Sequence, residues 1–348
     1  MRIVLDAMGS DDCPNPDVHG GVLAARELGI SVVLVGDEQA IKIELTKYST
    51  IGLQLEVVHA SQAISMHDKP SAVTKGKPES SMHIGMNLVK SGHADAFVTM
   101  GNTGAAHAIA MLGTLGRIRG VKRPALSAVF PIFGKPVIFT DIGANADCKP
   151  EWMVQFALMG AIYSQHALGI SANPSVGLLS NGEEEGKGNT LIKETSDLLR
   201  LTNLNFVGNV EPKQIFTRVS DVVVSDGFTG NILVKVYEAG TRYLTENLRN
   251  TIRSNPLWAL SGLALRPAFR RVRTKLDTSE VGGAPLLGVD GVVIIGHGSS
   301  NAESVRNAVR QATLAVKGNI VGVIRERLAE LPEAKTTTIR SITDGSAS

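Results

Sequence analysis

The chain is poor in cysteine and in aromatic residues, and it carries almost no excess of charge. Its two cysteines, Cys13 and Cys148, cannot by themselves form a disulfide framework or a zinc site, and they fit a reducing compartment. A net charge of +2 with 4% aromatic residues provides no basic stripe interleaved with aromatics, so we expect no nucleic-acid partner. No run reaches the roughly 20 apolar residues that span a bilayer, and residues 1–6 do not resemble a signal peptide. We therefore expect a cytoplasmic protein.

Motifs of common cofactor-dependent enzymes are missing as well. The glycine-rich segments lack the G-K-[ST] ending of a nucleotide-binding P-loop, and no strand leads into a G-x-G-x-x-G fingerprint. No cluster of ligand residues indicates a metal, so we expect neither a metal nor a cofactor. The composition, 43% hydrophobic and 20% charged, is that of a soluble globular protein that can bury a large core.

Five strand-like apolar runs each end in a cluster of Gly, Asn, Ser, Thr and Asp, and a segment with helical spacing follows each one. The five segments cover residues 97–105, 137–145, 176–189, 222–231 and 292–300. In an open α/β sheet the loops at the carboxyl ends of the strands share one crevice, where ligands bind. Glycine lets the backbone approach a ligand, and helix N-termini present free N–H groups to anions. The pattern predicts an enzyme that handles an anion, with the five loops in one crevice.

The alternation of strand and helix patterns predicts a three-layer α/β/α fold with a mixed, mostly parallel sheet. A hairpin that turns at residues 133–135 supplies the antiparallel part. Because no composition break marks a boundary, we expect one catalytic domain at residues 1–334, with a protruding helical element at about 254–276. Residues 335–348 are rich in Ser and Thr and are expected to form a disordered tail.

Two of the loops offer candidate binding residues that also have a structural interpretation. Gly101, Asn102, Thr103 and Gly104 form a G-N-T-G turn that could hold an anion or a carbonyl group, or could cap a helix. The loop at residues 181–189 contains three acids and Lys187, which lies just before a predicted helix whose N-terminus would share its anion. A solvated acidic loop is the alternative there.

Two further loops carry one candidate each. Asn231 closes the motif D-G-F-T-G-N and could donate to a substrate oxygen or tie down its loop. His297 opens the motif H-G-S-S and could be a base, an anion donor or a hydrogen-bonded loop residue. The two cysteines are expected to be passive, since nothing near them in sequence would activate a thiol.

One segment, at residues 255–275, stands outside these loops. Its apolar run is too short to span a bilayer, but an apolar run beside a basic cluster suits a membrane interface or an acidic protein partner. An oligomer contact or a buried helix pair is the alternative. The candidate contact residues are Leu257, Trp258, Leu260, Arg266, Arg270 and Arg271.

Seven motifs in collinear order resemble the bacterial acyl-carrier-protein:phosphate acyltransferases of phospholipid synthesis, over about residues 1–330. The motifs are D-A-M-G-x-D at 6–11, G-N-T-G-A at 101–105, D-I-G-A-N at 141–145, K-G-N at 187–189, D-G-F-T-G-N at 226–231, G-G-A-P-L-L-G at 282–288 and H-G-S-S at 297–300. Two departures stand out: Ser10 occupies a position where glycine is expected, and Met100 one where a small residue is expected. Ser10 would restrict the backbone conformations of the first loop, and Met100 would change the shape of the substrate pocket on the side that holds the acyl chain.

The resemblance implies a fold similar to phosphotransacetylases and isopropylmalate dehydrogenases, a homodimer, and peripheral association with the inner face of the membrane. It also implies the reaction, in which a fatty acyl thioester on acyl carrier protein and inorganic phosphate give acyl phosphate and the free carrier thiol. The acyl phosphate then goes to a membrane acyltransferase acting on glycerol 3-phosphate.

Phosphate is itself a nucleophile at neutral pH, so the reaction needs no Ser–His–Asp relay and no metal. Lys187 and loop N–H groups would hold phosphate, Asn231 would donate to the oxyanion or to phosphate, and His297 would ease departure of the thiol, whose ordinary pKa is about 8.5. The candidate substrate-binding residues are Gly101, Asn102, Thr103, Gly104, Asp141, Asn145, Asn189, Asp226 and Ser299.

Two other functions remain open from the sequence. A phosphotransacetylase that uses a short acyl-coenzyme A would share the fold and the chemistry but would not need the segment at residues 257–275. A non-catalytic scaffold that binds the carrier protein or a membrane would need that segment but not the polar loops.

Overall fold

The structure, a computed structural model, describes residues 1–132, 135–276 and 282–331. The strands are β1 (Arg2–Asp6), β2 (Ser31–Gly36), β3 (Leu55–His59), β4 (Ala96–Thr99), β5 (Ala125–Ile132), β6 (Lys135–Thr140), β7 (Ser175–Leu179), β8 (Asn205–Val210), β9 (Val222–Val224), β10 (Ala284–Leu287) and β11 (Val292–Ile295). The helices are α1 (Asn15–Leu28), α2 (Glu38–Leu45), α3 (Pro70–Gly76), α4 (Ser81–Lys90), α5 (Thr103–Ala108), α6 (Pro150–Ile162), α7 (Thr190–Arg200), α8 (Pro212–Ile215), α9 (Gly227–Arg253), α10 (Pro256–Leu276), α11 (Ala302–Lys317) and α12 (Ile320–Arg327). The predicted tail at residues 335–348 lies outside the described residues.

Eleven strands form one sheet in the order β3-β2-β1-β4-β11-β10-β5-β6-β9-β7-β8. Strands β3, β2, β1, β4 and β11 are parallel to one another. At the other side of the sheet, β6, β9, β7 and β8 are also parallel to one another. Between these halves, β11 with β10, β10 with β5, and β5 with β6 are antiparallel pairs. The predicted mixed, mostly parallel sheet is confirmed.

Helices cover both faces of the sheet, because successive side chains of a strand point to opposite faces. In β1, Val4 contributes to the apolar cluster that includes α4, whereas Leu5 contributes to the cluster that includes α1 and α11. In β6, Ile138 packs with α6, and Val137 packs on the face that carries α9. The fold therefore has the three layers that the sequence predicts.

Capping side chains fix where several helices begin. The carboxylate of Asp37 accepts hydrogen bonds from the backbone N–H groups of the first turn of α2, and the Asn189 side-chain oxygen does the same for α7. The Asn255 side-chain oxygen accepts from the N–H of Leu257, 2.8 Å away, directly after the end of α9. Each cap leaves fewer backbone donors unpaired and so stabilises its helix by about 1 kcal/mol.

The predicted hairpin is present as the antiparallel pair β5 and β6, and part of its turn, residues 133 and 134, lies outside the described residues. Strand β10 was not predicted, because its sequence, A-P-L-L after two glycines, resembles a loop. Whether residues 1–334 fold as one unit stays a prediction.

Candidate active site

The five predicted loops lie at two opposite ends of the strands and not in one crevice of the chain. The three antiparallel pairings in the middle of the sheet reverse the strand direction an odd number of times, so β6, β7 and β9 run opposite to β4 and β11. The prediction of a single shared crevice is therefore wrong for one chain. We call residues 6–12, 99–104 and 296–300 the β1 group, and residues 141–145, 180–189 and 225–231 the β6 group.

In the β1 group, buried polar side chains satisfy one another. The carboxylate of Asp6 accepts from the Thr99 hydroxyl (2.8 Å) and from the Met8 N–H (3.1 Å). The Thr99 oxygen in turn accepts from the N–H of Gly101 at 3.0 Å. Burial raises the pKa of Asp6 above its ordinary value, and its hydrogen bonds oppose that shift. These contacts fix the first residues of both loops.

Asn102 uses both ends of its side-chain amide within the protein. Its oxygen accepts from the N–H of Ala105 (3.0 Å) and so caps α5. Its nitrogen donates to the carbonyl oxygens of Met66 and Asp68, at 3.1 and 3.0 Å, and also lies 3.3 Å from that of Ser65. Asn102 therefore holds the segment at residues 65–68 against the G-N-T-G turn, which matches the structural interpretation of this motif.

The glycines of this turn are enclosed, whereas its threonine is exposed. An added Cβ at Gly101 would lie 2.5 Å from the Met82 side chain, and one at Gly104 would lie 2.8 Å from the ring of Pro70. Thr103 is exposed at the first position of α5. The two glycines thus serve close packing, and Thr103 is the member of the motif that solvent can reach.

His297 lies in the β1 group, at the opposite end of the strands from Lys187 and Asn231. It is exposed, and its Nδ1 atom is 3.0 Å from the Ser299 hydroxyl. The neighbouring Gly298 carbonyl accepts from the N–H of Asp11 at 2.8 Å, which joins this loop to residues 6–12. Within one chain, His297 cannot act on a group held by Lys187 and Asn231.

The two departures from the motif pattern have different environments. Ser10 donates through its hydroxyl to the carboxylate of Asp17, a fully buried residue of α1 that sequence reasoning missed. Burial raises the pKa of Asp17 to about 7. Met100 is fully buried in the core, where its sulfur lies against Gly296. The prediction that Met100 shapes an acyl pocket finds no support, because this side chain packs between sheet and helices.

In the β6 group, Asp141 organises the loop that follows β6. Its Oδ1 atom accepts from the N–H groups of Leu126, Gly143 and Ala144 at 3.0 to 3.1 Å. Its Oδ2 atom accepts from the backbone N–H and the side-chain amide of Asn145, at 2.8 and 2.9 Å. Burial raises the pKa of Asp141, and the hydrogen bonds from Ala144, Gly143 and Asn145 oppose the shift. A carboxylate with so many internal donors shapes the loop.

The N-terminus of α9 packs directly onto that loop. A Cβ at Gly230 would overlap the carbonyl oxygen of Asp141, and one at Gly227 would lie 2.7 Å from the carbonyl oxygen of Asn145. Asp226 caps the helix, since its carboxylate accepts from the N–H and the hydroxyl of Thr229, both at 2.8 Å. The two glycines allow a contact that any side chain would prevent. The positive end of the helix dipole therefore lies at the Asp141 loop.

Asn231 is the polar side chain that this contact leaves open. It is exposed on the first turn of α9, and an added Cβ at Gly143 would lie 3.8 Å from its amide carbon. Within the described part of the chain, the Asn231 amide has no hydrogen-bond partner. It can therefore donate to an oxygen atom that approaches the glycine of the D-I-G-A-N loop.

Lys187 lies in the neighbouring loop, between β7 and α7. The loop turns at Gly186 and Gly188, whose φ angles of 91° and 93° favour glycine. The stem of Lys187 crosses Gly182, where an added Cβ would lie 2.7 Å from its Cγ atom. Lys187 is exposed, and no ion pair holds its ammonium group among the described residues. Asn189, by contrast, caps α7 by accepting from the N–H of Ile192 at 3.0 Å.

Both cysteines are electrostatically disfavoured as thiolates. Burial raises the pKa of the Cys148 thiol to about 12, and it also raises that of Cys13, with further increases from Asp17 and Asp6. The predicted passive role of both residues is supported. In the residues that the structure describes, no group of three or more His, Cys, Asp and Glu side chains could hold a metal ion.

Helix α10 presents the predicted contact segment to solvent. The side chains of Leu257, Trp258 and Leu260 are 74, 53 and 68% exposed, and Arg266 is exposed beyond them. Gly262 packs against Ile252 of α9, which joins the two helices. Arg270 and Arg271 belong to α10, but their side chains lie outside the described residues. No helix in the described ranges is long and apolar enough to cross a membrane.

Sequence relatives identify the family. A family profile described as fatty acid synthesis protein matches residues 1–322. The chain is 42% identical over 337 residues to a phosphate acyltransferase of Geobacter sulfurreducens, covering 97% of this chain and 96% of the relative. The chain belongs to the phosphate acyltransferase family. A second member, from Dictyoglomus turgidum, is 46% identical over 336 residues, covering 96% of this chain and 99% of that protein. The resemblance inferred from the seven motifs is confirmed.

Solved structures of other acyl-transferring enzymes share the fold of this family member. A phosphotransacetylase from Streptococcus pyogenes superposes with a TM-score of 0.59 at 16% identity, covering 91% of this chain and 94% of that structure. A branched-chain phosphotransacylase from Enterococcus faecalis gives a TM-score of 0.55 at 15% identity, covering 91% and 99%. The predicted similarity to phosphotransacetylase folds is confirmed.

Proposed function

We propose that this protein transfers a fatty acyl group from a carrier-protein thioester to inorganic phosphate. The carbonyl carbon loses its bond to sulfur and gains a bond to a phosphate oxygen, and the proton of hydrogen phosphate leaves on the carrier thiol. The observation that carries the proposal is the contact of the α9 N-terminus with the Asp141 loop, which leaves the Asn231 amide open. Membership in the phosphate acyltransferase family supports it.

The β6 group can supply what this reaction needs. A dianion requires positive charge and N–H donors. Lys187 follows β7 and the N-terminus of α9 follows β9, and these two strands are adjacent in the sheet. The tetrahedral oxyanion requires a donor at the reacting carbon, and Asn231 is open for that role. Positioning and electrostatic stabilisation then account for catalysis, because phosphate needs no activation by a base.

The test is release of free carrier thiol by the purified protein from palmitoyl-carrier protein. We expect release to require phosphate and to yield acyl phosphate, without added metal or nucleotide. Undiminished release without phosphate would identify a thioesterase. A phosphotransacetylase would instead prefer a short acyl-coenzyme A, and a non-catalytic scaffold would release no thiol with either thioester. The acyl phosphate would serve a membrane acyltransferase acting on glycerol 3-phosphate.

The proposal includes a homodimer. Helix α9 exposes large apolar side chains along most of its length, at Phe228, Ile232, Val236, Tyr243, Leu244 and Leu248. A second copy could cover this apolar surface, and it could bring the β1 group of one chain to the β6 group of the other. His297 would then assist the leaving thiol across the interface. If the site is shared, each single variant should be impaired, and an equal mixture of reassociated Lys187→Ala and His297→Ala chains should regain about a quarter of the parent rate, because half of the dimers are mixed and each has one intact site. Full activity of His297→Ala alone would contradict a role for His297 across the interface.

The proposal also includes peripheral attachment of this cytoplasmic protein to the inner face of the membrane through α10. Leu257, Trp258 and Leu260 would enter the lipid interface, while the arginines would face anionic headgroups, each worth about 1 kcal/mol. Replacing these three apolar residues by Ser should weaken co-sedimentation with anionic liposomes at low salt while turnover of soluble substrate falls far less than in Lys187→Ala. Unchanged co-sedimentation would assign these side chains to a dimer or carrier-protein contact.

A further inference from the structure

The segment that leads into β5 carries a cluster of positive charge that the proposed reaction does not use. No acidic residue occurs between Asp95 and Asp141, whereas residues 116–123, which we call the basic loop, contain Arg117, Arg119, Lys122 and Arg123. All four of these side chains are exposed. The chain as a whole is nearly neutral, with a net charge of +2, so this concentration is local.

The backbone of the basic loop is held in place. Its two apolar residues, Ile118 and Val121, are 1 and 4% exposed and belong to the core. The N–H of Ile118 donates to the Gly288 carbonyl at 3.0 Å. The Gln155 side chain of α6 accepts from the N–H of Lys122 (2.8 Å) and donates to the Gly120 carbonyl (3.0 Å). The four cations therefore project from a fixed frame.

The positive charge of the loop is not neutralised within the chain. Among the described residues, none of the four cations forms an ion pair. Arg117 donates to the carbonyl oxygen of Lys122, and the guanidinium of Arg123 lies 5.0 Å from the ring centre of Trp152. The nearby acid Asp290 is paired with Arg325 at 2.6 Å. Four cations on one short loop repel one another, so an anionic surface that covers them gains affinity and association rate.

The basic loop adjoins the β6 group. Pro124, which follows the loop directly, accepts at its carbonyl oxygen from the Asn145 amide at 2.7 Å. Two residues further on, the N–H of Leu126 donates to the carboxylate of Asp141 at 3.0 Å. A partner bound at the loop would therefore lie at the same end of the strands as Asn231 and Lys187.

We propose that the basic loop is the docking surface for the acidic face of the acyl carrier protein, a proposal that rests on the function proposed above. That reaction requires a protein partner that carries the thioester to the β6 group. An anionic lipid surface fits the loop less well, because both of its apolar residues point into the core. Most of the exposed large apolar side chains lie on α9 and α10 instead, whereas Leu112, 75% exposed, precedes the basic loop as a single residue.

The test reverses charge at two positions whose side chains form no hydrogen bond or ion pair among the described residues, with Arg119→Glu/Lys122→Glu. The matched control, Lys75→Glu/Arg310→Glu, changes the net charge equally at exposed positions of α3 and α11 that form no ion pair among the described residues. We expect the loop variant to bind fluorescent carrier protein about 10- to 100-fold more weakly than the control, with a shallower salt dependence. The loss should appear in the KM for acyl-carrier protein, with little change in kcat. The charge-preserving variant Arg119→Lys/Lys122→Arg should bind like the parent.

Each outcome decides the proposal. Equal carrier-protein affinity in the loop variant and the control would overturn it. So would loss of anionic-liposome binding at unchanged carrier affinity, which would assign the loop to lipid. Thermal unfolding at the parent temperature excludes a folding defect, and binding by the charge-preserving variant gives a second check if the reversal misfolds. If the parent releases no thiol with phosphate present, the proposed function fails, while the binding measurement still tests the docking surface.

Discussion

The β1 group and the β6 group are built from the same residue types after buried strands, but their polar atoms have different partners. In the β1 group, the Thr99 hydroxyl donates to the Asp6 carboxylate and accepts from the N–H of Gly101. The Asn102 amide donates to the segment at residues 65–68. In the β6 group, Asp141 and Asp226 take up the internal donors, and Lys187 and Asn231 stay open. A motif of Gly, Asn and Asp therefore indicates a fixed loop, and the open side chains indicate where a ligand can bind.

The largest loss of activity is expected for substitutions in the β6 group. Removing one transition-state donor typically lowers the rate about 10²- to 10³-fold, so Lys187→Ala and Asn231→Ala should each lose that much in kcat. Both side chains are exposed, so the free energy of unfolding should change by less than about 0.5 kcal/mol. Steady-state assays and urea denaturation measure the two quantities. Near-parental turnover in either variant would return that residue to a purely structural role.

A substitution in the β1 group should have the opposite result, a loss of stability with little loss of activity. Asn102→Ala removes the cap of α5 and the donor to residues 65–68, so we expect a loss of about 2 kcal/mol in the free energy of unfolding. The rate should fall less than tenfold, because the amide has no free polar atom for a substrate. A rate loss as large as that of Lys187→Ala, at unchanged stability, would contradict this assignment and place Asn102 in the chemistry.

A smaller effect is expected in the pH dependence of the free energy of unfolding, through Asp17 in the helix that follows the first loop of the β1 group. The pKa of Asp17 is about 7 in the folded protein against 3.8 for the unperturbed group, so between pH 4 and 7 the folded state keeps a proton that the unfolded state has lost. Stability should therefore fall as pH rises through that window, by at most about 1.4 kcal/mol per pH unit. Asp17→Asn keeps an acceptor for Ser10 and should flatten the profile. Equal slopes for parent and variant would show that Asp17 does not titrate there.

Much of the fold could be predicted because its signals are local. The strand runs other than β10 and the β5–β6 hairpin follow from neighbouring residues. Asn189 and Asp226, which were predicted to bind substrate, cap α7 and α9. Strand direction could not be predicted, because it depends on pairings between segments far apart in sequence, such as β10 with β5. That is why the five loops were expected in one crevice.

The site was predictable to a similar depth. Lys187 and Asn231 followed from their places before helices, and the structure leaves both side chains open. The hydrogen bonds of the Asn102 side-chain nitrogen could not be predicted from the sequence, because its three acceptors lie 34 to 37 residues away along the chain. Asp17 and Gly230 carried no signal of their own, since burial and close approach appear only when the chain is folded.

Because α9 contacts the Asp141 loop through a glycine in its first turn, a small tilt of the helix at that contact would displace its far end. Gly230 rests on the Asp141 carbonyl, and α9 extends about 35 Å from this contact to its end at Arg253. A tilt of about 5° at the contact would displace the far end by about 3 Å over that length. Because Asn231 lies on the turn that makes this contact and Trp258 lies just beyond the far end, a force on α10 would turn the Asn231 amide relative to Gly143.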